Sequence, residues 1–150
     1  MKITRKTETI HGEWFTPHVI EPAFGIDRII WHIIDHSYEE IDRDEKQYTI
    51  LRTKNDVSPI KVAIFPLFEK DGMGDLAKGI KSKLTQLGTA CYYDGSGSIG
   101  RRYARADEVG VPMAVTVDHQ SIQDSSVTVR DRDTQKQTRV KIDELHGIIR

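Results

Sequence analysis

A single cysteine, Cys91, leaves this 150-residue chain unable to build an intrachain disulfide framework or a cysteine-based zinc cluster. A reducing cytoplasm suits such a sequence, and cytoplasmic residence is expected. Long hydrophobic runs are also missing. The most apolar stretch, around Ile26 to Ile34, is interrupted by Asp27, Arg28 and His32, far short of the roughly 20 apolar residues that span a bilayer. No membrane association is expected. The N-terminal MKITRKTETIHGEW carries basic residues with no apolar segment behind them, so it does not read as a secretory signal. Nor does one sign of charge prevail. Lys and Arg number 22 against 23 Asp and Glu, a net charge of −1, so a nucleic-acid role must rest on local basic clusters. With 37% hydrophobic and 30% charged residues, 11 Gly and 5 Pro, the composition is neither that of a disordered chain nor that of a linker. One globular domain with an appendage is the ceiling at this length.

Residues 14–21, WFTPHVIE, are rich in β-branched and aromatic types, and Pro17 suits an edge; they predict a short strand. Ile26, Ile29, Ile30, Ile33 and Ile34 then recur at helical spacing, predicting a buried amphipathic helix from Asp27 to about Tyr38. The following EEIDRDEKQYTILRTKND is charge-dense, with one apolar island at Tyr48 to Leu51, and ends in Ser58-Pro59. A domain boundary is expected here, dividing residues 1–56 from 57–150.

Beyond it, apolar runs at Ile60 to Leu67, Thr89 to Tyr93, Met113 to Val117 and Val127 to Val129 predict strands, the last continuing into a hairpin through Asp133-Thr134. Leu76, Ile80, Leu84 and Leu87 predict a helix over Met73 to Leu87 that stops at Gly88. Further helices fit Ser98 to Val109 and Asp143 to Ile149. The order predicts an α/β fold with a mixed five-stranded sheet flanked by helices. There is no internal repeat.

GSGSIG, Gly95 to Gly100, matches GxGxxG between a predicted strand and helix, with Ala104 and Asp118 placed as a dinucleotide fold would want them. The bland alternative is a glycine-permitted turn into a helix. That alternative gains weight from the helix itself, GRRYARADEVG, which has almost no apolar stripe. Its charges are more informative. Arg101, Arg102 and Arg105 fall within five positions around Tyr103, and Asp107 and Glu108 close the element; guanidiniums at a helix start add bidentate donors to the positive end of its dipole. A second basic strip, VTVRDRDTQKQTRVK, holds Arg130, Arg132, Lys136, Arg139 and Lys141 on a predicted hairpin. From Gly95 to Lys141 eight basic residues stand against six acidic ones. The plain reading is a set of surface ion pairs, each contributing about 0–1 kcal/mol; the functional reading is an Arg and Tyr mixture that stacks on and hydrogen-bonds to single-stranded RNA bases. His32 and His36 stand four apart on the first helix, but HIIDH lacks the Glu that follows the first His in zinc-protease helices. No metal site is expected. Cys91 reads as a small buried hydrophobe.

The segment FTPHVIEPAFGIDRII resembles the third signature motif of class II aminoacyl-tRNA synthetases, a strand followed by a helix. DGSGSIGRRYARADEVGVPMAVTVD and VTVRDRDTQKQTRV resemble the C-terminal anticodon-binding domain of the same enzymes, with glycyl-tRNA synthetases of the archaeal and eukaryotic type the nearest match. The resemblance runs from about Glu13 to Arg150. It implies a catalytic-domain remnant and linker at 1–56 and an anticodon-binding domain at 57–150. It also implies that GSGSIG is a turn near an RNA-binding face rather than a dinucleotide site.

In that family the arginine falling on Arg28 contacts the ATP phosphates, and the glutamate falling on Glu21 helps bind the amino group of glycine. The family usually has Ser two residues after that glutamate, where this chain has Ala23. Signature motifs one and two have no room in the dozen residues before Glu13, so the chain alone is not expected to activate glycine. ATP and Mg²⁺ are cofactors expected of the full-length enzyme and none of this chain alone; a homodimer is likewise expected only of the full-length enzyme. The implied function is recognition of the anticodon of a glycine tRNA. The residues expected to carry it are Arg101, Arg102, Arg105, Asp107, Glu108, Arg130, Arg132 and Arg139. The alternative is a free-standing synthetase-like module that binds other RNA or serves as an accessory subunit.

Overall fold

Residues 2–25 form neither helix nor strand in the computed structural model, which describes residues 2–43 and 46–149. The strand expected at 14–21 is therefore absent. Its apolar side chains, among them Trp14, Phe15, Val19 and Ile20, are exposed, and no described strand runs alongside to take up its backbone hydrogen bonds.

The expected first helix does form, as α1 (Ile26–Ser37), but it buries none of its residues: Ile29, Ile30 and Ile34 stay 45%, 50% and 43% exposed. Next come two antiparallel strands, β1 (Tyr38–Arg43) and β2 (Lys46–Leu51), where the sequence reads as a polar boundary. Their hairpin is anchored by Ile50, 2% exposed, and β2 lies along a later helix.

The remaining elements are β3 (Val62–Pro66), α2 (Met73–Gln86), β4 (Cys91–Tyr93), α3 (Ile99–Glu108), β5 (Met113–Val117), α4 (His119–Asp124), β6 (Ser126–Asp131), β7 (Gln137–Lys141), a 3-10 turn at Ile142–Glu144 and α5 (Leu145–Ile148). The last expected helix is thus split into a 3-10 turn and one α turn. α4, which the sequence reading misses, is closed by a capping box between Asp118 and Ser121.

The five strands run in the order β4-β3-β5-β6-β7. β3 pairs parallel with β4 and β5, while β5-β6 and β6-β7 are antiparallel, so the sheet is mixed as expected. All five residues of β3 are buried. Strand alternation divides its side chains between two cores: Val62 and Ile64 pack with Ala77, Ile80 and Leu84 of α2, and Ala63 and Phe65 pack with Ala106 of α3. Because β3, β4 and β5 are parallel, their carboxyl ends share one edge of the sheet. The loops 67–72 and 94–98 and the start of α4 emerge there.

Candidate nucleic-acid interface

At that edge one arginine is tied to the end of each parallel strand. Arg102, 4% exposed, donates to the Pro66 carbonyl at the end of β3, to Gly97 O at 2.8 Å and to Ser96 O at 3.3 Å. Arg105 donates from Nε to Asp94 Oδ2 at 3.0 Å, just beyond β4. Arg139 reaches Asp118 at the end of β5, with Nη1 2.5 Å from Oδ2, and donates from Nε to Ser126 Oγ at 2.6 Å. The glycine motif serves this arrangement. Gly97 takes φ 72° to turn the loop, and Arg102 and Arg105 donate to the Ser96 and Gly97 carbonyls that the loop turns inward.

The carboxylates are correspondingly acidic. Burial opposes ionisation of Asp94, yet the Ser96 backbone N–H and the Arg105 guanidinium outweigh it and hold the group at about 2. Burial likewise opposes Asp118, and Arg139 overrides it, lowering that carboxyl too. A carboxyl depressed in the folded state contributes stability that is full above its unfolded value near pH 4 and is lost as pH falls toward the folded one. Thermal unfolding followed from pH 5 to pH 2 will therefore show stability falling across about pH 4 to 2, and Asp94→Asn will flatten that slope. An unchanged slope in the variant would remove Asp94 from the account.

Four of the eight residues singled out by sequence lie inside the protein. Arg102 is one. Arg130 and Asp107 form a bidentate pair, Nη1–Oδ1 and Nη2–Oδ2 both 2.9 Å, with side chains 8% and 9% exposed. Arg130 also stacks on the Tyr103 ring, its guanidinium carbon 4.7 Å from the centroid. Arg132 sits at the opposite end of the sheet, 2% exposed, bonded to the carbonyls of Leu51, Thr53 and Gly110. Arg105 and Arg139 are half-exposed at the carboxyl edge. Arg101 and Glu108 are exposed and make no ion pair among the described residues.

Two residues of the same edge escape the sequence reading. Phe68, exposed, and Glu69, half-exposed, line a groove of about 440 Å³ with Leu67, Gly95, Ser98 and Arg102. No spacing marks them; only the loop after β3 brings them to the glycine turn. Glu21 and Arg28 are both exposed, and no hydrogen bond or ion pair joins them among the described residues. His32 and His36 pack edge to face with ring centroids 6.0 Å apart. Among the described residues no three His, Cys, Asp or Glu side chains are grouped to hold a metal ion, and no helix is long and apolar enough to cross a membrane.

The chain is 48% identical over 143 residues to a glycine–tRNA ligase of Methanothrix thermoacetophila, covering 95% of this chain and 25% of the relative. It is 48% identical to that of Methanocaldococcus jannaschii, covering 97% and 24%, and 47% identical to that of Archaeoglobus fulgidus, covering 89% and 24%. The chain thus spans about a quarter of the length of these relatives. A crystal structure of prolyl-tRNA synthetase from Cryptosporidium parvum shares the fold with a TM-score of 0.60 at 24% identity, over 66% of this chain and 22% of that one. Residues 61–150, which hold the whole mixed sheet and the arginine-lined edge, match the anticodon binding domain, and the chain belongs to that family.

Proposed function

We propose that residues 57–150 bind the anticodon loop of a glycine tRNA, as part of a glycine–tRNA ligase, at the carboxyl edge of β3, β4 and β5. The observation that carries this reading is the set of arginines converging there on a family-typical domain. Arg102, Arg105 and Arg139 fix the loops, while Arg101, exposed and without an ion-pair partner among the described residues, meets the RNA. Anticodon bases are single-stranded, so they can be splayed out, stacked and read along their edges, with phosphates adding a salt-sensitive background. Arg105 and Arg139 border the RNA, whereas Glu108, at the far end of α3, lies away from that edge. Asp107 and Arg130 hold the end of α3 to β6, and Arg132 fastens the opposite end of the sheet, so the three act on the fold rather than on the RNA. Glu21 and Arg28 act in the longer ligase, on the glycine ammonium and the ATP phosphates with their Mg²⁺, because a carboxylate answers an ammonium and a guanidinium answers phosphate.

Titration with a glycine anticodon stem-loop and an anticodon-altered one at fixed salt tests the reading. The unaltered loop will bind more tightly, and Arg101→Ala will weaken both and lower the salt slope by roughly 0.7, the share of one single-strand phosphate contact. Equal affinity for the two loops would overturn anticodon recognition.

A further inference from the structure

We infer that Glu69, acting with Lys78, is a specificity residue that reads a base whose Watson–Crick edge presents an amino donor beside a ring-nitrogen acceptor. The inference deepens the anticodon reading above and rests on it. Glu69 follows β3 and lies between two glycines. A Cβ on Gly95 would stand 1.7 Å from its Oε1, and one on Gly74 would stand 2.5 Å from its Oε2. The first glycine of the GSGSIG turn thus leaves room for the carboxylate that lies over it. The Tyr93 hydroxyl donates to Oε1 at 2.6 Å. Burial first, and then the hydrogen bond to Glu69, push the Tyr93 phenol up to about 12, so it remains a donor across the physiological range.

Above Gly74, Oε2 has the Lys78 ammonium 3.9 Å away as its one ion-pair partner among the described residues. The two side chains are 46% and 59% exposed, and Phe68, 54% exposed, offers a ring in the same groove. An ordinary surface Lys–Glu pair swings freely and contributes little. Here one carboxylate oxygen is held by a tyrosine and the backbone beneath is cleared by glycine, which leaves an oriented acceptor beside a donor. Cytosine offers N4–H and N3 to such a pair, and adenine offers N6–H and N1. Uracil and guanine present the reverse order, which sets carbonyl oxygen against carboxylate and N–H against ammonium. The Phe68 ring supplies a stacking face for the base so held.

The test is a titration of anticodon stem-loops at fixed salt, each anticodon cytosine changed in turn to uracil or to adenine, against the wild-type chain, Glu69→Gln and Gly95→Ala. The wild type will prefer cytosine over uracil at one position by roughly 10- to 100-fold. Glu69→Gln, whose amide can turn either a donor or an acceptor to the base, will bring that ratio near one while affinity for the uracil loop stays within about twofold. Gly95→Ala meets only the flexible end of Glu69 and needs no unusual backbone conformation; it will keep its unfolding midpoint and lose the same preference. Adenine bound like cytosine assigns the pair to amino edges in general, and adenine rejected with uracil narrows it to cytosine. A wild type that discriminates alongside a Glu69→Gln that discriminates equally overturns the role of Glu69 alone. A wild type indifferent to every anticodon change overturns both this inference and the anticodon reading.

Discussion

Asp107→Ala will destabilise the protein by about 3–5 kcal/mol, read as a drop in the urea midpoint at unchanged slope. The carboxylate holds both Arg130 nitrogens at 2.9 Å where neither side chain is a tenth exposed. Removing it leaves a guanidinium out of water with only the Tyr103 ring for compensation. Such an orphaned charge is worse than no charge. The double replacement Asp107→Leu with Arg130→Met will therefore recover most of the loss, because two apolar side chains of similar bulk fill the same space beside Phe65, Ala106 and Tyr103. A single variant within about 1 kcal/mol of wild type would mean that water reaches the pair.

That pair shows why the sequence separates the arginines poorly. Arg101 and Arg102 are neighbours in one helix turn, yet one is exposed and the other is 4% exposed. What sorts them is a set of carbonyl groups at the end of β3 and in the glycine loop that only the fold assembles. By contrast β3 and β5 are legible as apolar runs because both faces of each are covered, and α2 because Ile80 and Leu84 repeat on its buried side. The β1-β2 hairpin is not legible, since Ile50 alone among its described side chains is buried and its support comes from α3. Residues 14–21 mislead in the other direction: strand-like side chains do not make a strand without a neighbouring edge. Glu69 carries no pattern at all, and its place follows from where Gly95 and Tyr93 leave room and a donor.

Arg132→Met will cost about 3–5 kcal/mol and will do so locally. From one buried position Arg132 bonds Leu51 O at 2.9 Å, Thr53 O at 2.9 Å, Gly110 O at 3.0 Å and both Asp133 oxygens. The Gly110 carbonyl also accepts from the hydroxyls of Thr53 and Ser58. Segment 51–58, which leads from the hairpin into the sheet domain, is thus fastened to the end of α3 by one guanidinium and one carbonyl. Methionine matches the length but removes the guanidinium donor from the Leu51 and Thr53 carbonyls, leaving Gly110 O only its two hydroxyl donors, and the nearest cleavable bonds, after Arg52 and Lys54, open first. Limited trypsin digestion will therefore cut at 52 and 54 faster in Arg132→Met than in wild type, releasing the hairpin and α1 while residues 61–149 stay protected. Arg132→Lys keeps the charge but forfeits the planar fork and will fall between the two. Equal cleavage rates in all three proteins would show that the segment is held by Ile50 and the β2-α3 contact without help from Arg132.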